Sequence, residues 1–192
     1  MYGFKFIIPI DIDEIIVPVQ HRNWTQVMDF VREQDPTAMK FYGSFSVRNA
    51  YFFKNINNDL VLAPRIGGNN DESSGRRERG RVLNIVKYQV RSANLSQIGF
   101  SIKSFVNSQV AGTVFNHYPL TTILPAQRVN AHMSPDLVQM NHYREGCPNG
   151  LAQQCEENYM RHFTKDGKLA KFFPEVRRRF AEKVKHIFKS WV

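Results

Sequence analysis

The residues of this chain best suited to chemistry lie near its start. Asp11, Asp13 and Glu14 fall directly after a short apolar run, Phe4 to Ile10. A carboxylate at the end of a buried strand has to be paired or bound to a metal. In an α/β sheet, the carboxyl end of a strand is also where ligands bind. If the strand continues, alternation sends Asp11 and Asp13 to one side and Ile12 to the other. Two hard oxygen donors on one side suit Mg²⁺ or Mn²⁺. Such an ion bridges a nucleotide diphosphate and neutralises it as a leaving group. The alternative is a solvated turn that happens to be acidic. An Asp-x-Asp triplet alone does not decide between the two.

A second pair of reactive residues is Cys147 and Cys155, in a polar stretch with Gly and Pro. They suit a small disulfide loop in an oxidising compartment, or two free thiols in a reducing one. Asn23-Trp-Thr and Asn94-Leu-Ser are acceptor sequences for N-glycosylation in a secretory lumen. The chain carries 26 Lys and Arg against 17 Asp and Glu, a formal net charge of +9. That balance favours anionic partners: nucleic acid, nucleotide phosphates or an acidic membrane surface. No apolar run reaches the roughly 18 residues of a membrane span. The first apolar run is not a signal peptide either, because a charged Asp-Ile-Asp-Glu follows it.

The elements that must position these residues are legible in part. With 192 residues and 42% apolar content, the chain supports one core, or one core with an extension. Residues 4–10 read as a buried strand, weakened by Pro9. Trp24, Val27, Met28 and Val31 recur at helical spacing. Asn23 is the candidate cap, and Asp35-Pro36 ends that helix. Residues 40–54 alternate and are rich in aromatic β-formers, so they read as a strand. Residues 82–90 and 100–106 also look strand-like. Residues 67–80 are polar and Gly-rich, and read as a mobile loop. From Pro174 a basic amphipathic helix is expected, with Phe180, Val184, Ile187 and Trp191 on one face.

Four segments in order carry a family resemblance. Phe6-Ile-Ile-Pro-Ile-Asp-Ile-Asp-Glu resembles the Asp-x-Asp-Glu strand end of glycosyltransferase family 92. Ile102-Lys-Ser-Phe-Val-Asn, Asn116-His-Tyr-Pro and Met133 through His142-Tyr-Arg resemble the family's next three motifs. The resemblance spans roughly residues 4–146. It implies an α/β domain of the GT-A type, with a mixed sheet flanked by helices. It implies an inverting transfer of galactose from UDP-galactose to a glycan or glycoprotein acceptor. Asp11 and Asp13 would then hold Mn²⁺ (or Mg²⁺) against the diphosphate, with His117 as third ligand and His142 as the other candidate. Glu14, Lys103, His142 and Arg144 would contact or position the substrate. For the general base, Asp59, Glu72 and Asp136 are the residues to test. A Golgi or other secretory-pathway setting is implied too.

In that frame, residues 1–160 read as part of a catalytic domain and 161–192 as a basic helical extension. The family's uridine-binding βα units and membrane anchor are expected before the Asp-x-Asp strand, and the sequence contains neither. An exposed sheet edge and a tendency to associate follow from that expectation. Two other readings compete. One is a non-catalytic remnant of the fold. The other is a basic nucleic-acid-binding or structural protein, motivated by the Arg/Lys-rich end but lacking any recognised nucleic-acid motif. For the terminal helix, packing on the core with a solvated basic face is favoured over docking to a membrane or nucleic acid.

Overall fold

The computed structural model describes residues 3–54, 56, 88–179 and 182. The expected loop at 67–80, most of the expected strand at 82–90, Asp59, Glu72 and the apolar face from Phe180 to Trp191 lie outside these residues. The described part is mixed α/β, with sheets flanked by helices. None of its helices is long and apolar enough to cross a membrane.

The chain starts with β1 (Phe6–Ile7) and β2 (Glu14–Pro18), then α1 (Trp24–Gln34) and α2 (Ala38–Phe41). Next come β3 (Ser44–Val47), β4 (Asn49–Phe53) and β5 (Val90–Ser92). β6 (Lys103–Asn107), β7 (Ala111–Val114), β8 (Pro119–Thr122) and β9 (Ala131–His132) follow. β10 (Val138–Arg144), α3 (Ala152–Tyr159) and β11 (Phe163–Lys165) complete the core. Among the described residues, one sheet runs β1-β6-β3-β9 and a second runs β2-β10-β4. β11 pairs with β5, and β7 with β8. In the second sheet, β10 is antiparallel to β2 and parallel to β4.

α1 forms where helical spacing predicts it. The Asn23 side chain accepts a hydrogen bond from the Gln26 amide at 2.9 Å, which satisfies one orphan donor of the first turn. Val27 and Met28 are buried against Ile16, Phe45, Phe105 and Met140. The helix stops at Asp35, before Pro36. Asn23→Ala is expected to cost about 1 kcal/mol, the usual worth of such a cap. A lowered urea midpoint at unchanged slope checks this; an unmoved midpoint refutes it.

Two sequence expectations are corrected. The stretch 4–10 is not one buried strand. β1 has two residues, and Phe4, Ile7 and Ile10 are exposed. Residues 40–54 are not one strand either. They begin at the end of α2 and then split at Arg48 into β3 and β4, which belong to different sheets. Arg48 makes this step stable. Its carbonyl accepts from the Met140 amide at 3.1 Å, and its Nε donates to the Ser96 carbonyl at 2.6 Å. Residues just past 160 make two contacts with earlier strands. β11 pairs with β5 in register Thr164 to Arg91, and Asp166 bonds to Gln139 of β10. Residues 173–179 are helical, with Pro174 in the first turn. Glu175 pairs there with Arg178 and Arg179 at 2.8 and 2.6 Å.

Candidate active site

The Asp-Ile-Asp-Glu segment sits in the turn that enters β2. The Glu14 amide donates to the Asp11 carbonyl at 3.1 Å. The Glu14 carboxylate accepts from the Asp11 amide, also at 3.1 Å. This reciprocal pair closes the turn. The extended alternation expected for residues 11–13 is therefore absent. Ile12 faces solvent, and Asp11 and Asp13 reach different partners. A further bond, Tyr143 amide to Asp13 carbonyl at 2.9 Å, pins the turn to β10.

Lys103, the first residue of β6, lies underneath. It is 1% exposed. Its ammonium is 2.8 Å from Asp11 Oδ2, 3.5 Å from Glu14 Oε2 and 3.3 Å from the Asn116 carbonyl oxygen. Lys103 is thus already engaged with the carboxylates rather than free for a phosphate. Glu14 is buried as well, whereas the side chains of Asp11 and Asp13 are 57% and 47% exposed. The two aspartates are the outward-facing members of the cluster.

His142 enters from β10, directly opposite Glu14 in the antiparallel register. Its Nε2 is 3.3 Å from Asp13 Oδ2. Its Nδ1 is 3.5 Å from Glu14 Oε1 without making a hydrogen bond. Burial holds the imidazole below its usual pKa, against the opposing pull of Glu14 and Asp13. The neutral ring has one N–H to offer two carboxylates. His117 approaches from the segment before β8. Its Nδ1 is 2.8 Å from the Ile102 carbonyl, which only accepts, so Nδ1 carries a proton and the lone pair of the neutral ring falls on Nε2. The Lys103 hydrogen bond holds the Asp11 carboxyl below the usual range, and the charges of Lys103, His117 and His142 add to it. Desolvation of Asp11, second only to that hydrogen bond, works the other way.

The four segments singled out in the sequence therefore converge on one turn. The proposed metal set is not assembled as a cage, however. Among the described residues, no group of three or more His, Cys, Asp and Glu is placed to hold an ion. Asp136 is not at the site. It lies in the turn that precedes β10, at the end of the strand away from His142. Arg144 ends β10, half-buried, with no ion-pair partner among the described residues. Just beyond it, Cys147 and Cys155 are joined in a disulfide.

Sequence reasoning missed Tyr51 and Tyr159. The Tyr51 ring lies 5.7 Å from His142 and 4.7 Å from Tyr159, centroid to centroid. Tyr51 belongs to the aromatic run that signals β4, and nothing local marks it as a neighbour of the site.

The sequence model of glycosyltransferase family 92 matches residues 1–188. The chain belongs to glycosyltransferase family 92. No curated protein matches it. Membership gives the convergent turn a general chemical meaning, since family-92 proteins are glycosyltransferases, with a donor and an acceptor to hold. The cluster also explains why Lys103 and Glu14 stand in this family-92 chain where they do. Each is buried because the other is present.

Proposed function

We propose that this chain carries the diphosphate-facing part of a hexosyltransferase site. The reaction is transfer of a hexose, galactose by the family's pattern, from a UDP-sugar to a hydroxyl of a glycan or glycoprotein, with inversion. The observation that carries the proposal is that Lys103 of β6 and His142 of β10 reach the outward carboxylates of Asp11 and Asp13, while Asn116 and His117 close on Lys103 and Ile102 behind them.

The residues fit a Mn²⁺ or Mg²⁺ shared with a nucleotide. Such an ion takes one or two carboxylates from protein and its other ligands from phosphate and water. A three-ligand protein cage is not required. The lone pair on His117 Nε2 is a suitable further donor. When bound, the ion would neutralise charge on the departing UDP. The chain's own residues do the rest. Lys103 keeps Asp11 ionised and, with Glu14, fixes the turn. His142, neutral, orients Asp13. Arg144, without an ion-pair partner among the described residues, offers its guanidinium fork to phosphate oxygens. A secretory-pathway lumen, the Golgi included, is part of the proposal; the Cys147–Cys155 bridge supports it, because disulfides persist in oxidising compartments.

A second reading rests on Lys103. Its ammonium already lies 2.8 Å from Asp11, in the space a cation would share. In that reading the chain keeps the fold without holding a metal–nucleotide pair. Calorimetric titration of UDP decides. The first reading expects binding with Mn²⁺, none with EDTA, and none with Mn²⁺ in Asp13→Ala. Absence of binding under every condition, in a sample that unfolds cooperatively, establishes the second.

A further inference from the structure

Beside the carboxylate turn lies a cavity of about 140 Å³. Its walls include Tyr51, Phe100, Arg144, Gln154, Asn158 and Tyr159. We infer that this cavity is a monosaccharide subsite that seats one pyranose ring of a substrate of the transfer proposed above, on which the inference rests.

The size argues for one ring. Pockets that enclose drug-sized ligands run to roughly 300–1,000 Å³. A nucleoside diphosphate far exceeds the space here, and one pyranose ring, part of it left in the open mouth, is the unit of matching scale. The lining has the matching chemistry. A pyranose presents apolar C–H faces and a rim of hydroxyls. Phe100 and Tyr159, the latter backed by the buried Tyr51 ring, offer aromatic surface to the first. The amides of Gln154 and Asn158, each both donor and acceptor, suit the second, as do the donors of Arg144.

The cavity is also built rather than incidental. Phe100 is 70% exposed at its rim, a large ring left open to solvent. Ser101, which lines it too, has φ 47°, a left-handed conformation unusual for a residue with a side chain. Backbone in that region persists when the surroundings enforce it, and such positions cluster at ligand sites. Here the Ser101 carbonyl is held by the side-chain amide of the buried Asn49. On the other wall, the disulfide ties Cys155 of α3 to Cys147, which follows β10. Both walls are anchored.

Position completes the case. The Tyr51 ring touches the cavity and packs on His142, which in turn contacts Asp13. Two rings, Tyr51 and His142, thus link the cavity wall to the Asp13 carboxylate. Transfer requires the sugar and the leaving phosphate to be held together within bonding range. The ring in the cavity is therefore either the donor's hexose or the terminal residue of the acceptor, and the chemistry recognising them is shared.

The test is saturation-transfer NMR on the full chain, using methyl glycosides of galactose, glucose, mannose and N-acetylglucosamine, without nucleotide or metal. At least one glycoside is expected to bind. Tyr159→Ala and the exposed Gln154→Ala are each expected to weaken it at least tenfold, with Tyr159→Phe close to wild type. Because Gln154 is on the surface of α3, its variant reads binding without a folding defect. Adding UDP-galactose with Mn²⁺ separates the sources. Displacement of the glycoside assigns the cavity to the donor hexose; simultaneous binding assigns it to the acceptor. The inference is overturned if no glycoside binds the folded wild-type chain, or if binding is indifferent to Gln154→Ala and Tyr159→Ala. The glycoside arm uses neither UDP nor metal, so its failure and failure of the UDP titration are separate results.

Discussion

Replacing Lys103 with methionine is expected to lower the unfolding free energy by about 3–5 kcal/mol, the usual penalty for breaking a buried ion pair from one side. The shorter contact is to Asp11, but that carboxylate is more than half exposed and can return to water. Glu14 cannot. Its side chain is 3% exposed and loses the only ammonium near it among the described residues. The stability loss therefore comes mainly from the longer contact. Lys103→Met with Glu14→Gln is expected to recover much of it, since removing both charges spares the uncompensated one. Chemical unfolding of the two single variants and the double variant measures the coupling. A loss under about 1 kcal/mol for Lys103→Met would place this pair with solvent-exposed ion pairs and remove the argument for Glu14 as a buried anchor.

The second large effect concerns Asp166, which the sequence does not advertise. Burial pushes its carboxyl up, but hydrogen bonds outweigh that and bring it to about 2. They come from the Lys168 amide, Gln139 Nε2, Arg91 Nε and Lys168 Nζ, at 3.0, 3.0, 2.7 and 3.1 Å. The folded value lies below the ordinary 3.8. The stabilisation is thus complete above pH 3.8 and is lost as pH falls through the interval down to about 2. It is on the order of 2 kcal/mol. Asp166→Ala is expected to cost more, about 3–5 kcal/mol at neutral pH, because Arg91 and Lys168 lose the carboxylate that balances their charge and buried Gln139 loses one acceptor. Thermal unfolding from pH 6 to pH 2 should show wild type approaching the variant at the acid end. Parallel curves would mean that Asp166 does not titrate in this way.

Both effects mark the boundary between local and non-local information. α1 was legible to its ends, because a cap, a 3.6-residue period and a proline stop act within one turn of chain. The four family motifs were legible in order, as was the α/β class. Cys147 and Cys155 could be noticed, but whether they pair depended on where β10 and α3 bring them. The strand boundaries were less legible. Residues 40–54 satisfy a strand pattern throughout, and nothing local tells Arg48 that its two sides join different sheets. β11 has three residues, too few for periodicity to register, and exists because β5 offers it an edge.

The site divides in the same way. By itself the sequence determined which residue types are available: two aspartates, a glutamate, a lysine, two histidines and an arginine, in four short segments. Tertiary structure alone decided what each one does. It set residues 11–14 as a turn instead of an extended strand. It buried Glu14 and Lys103 together and left Asp11 and Asp13 outside. It carried Asp136 to the far end of β10, set Tyr51 against His142 and packed Tyr159 on Tyr51. The physical reason is that burial and charge pairing depend on neighbours distant in sequence. Lys103 and Asp11 are 92 residues apart, and the roles of both follow from the 2.8 Å between them in the fold.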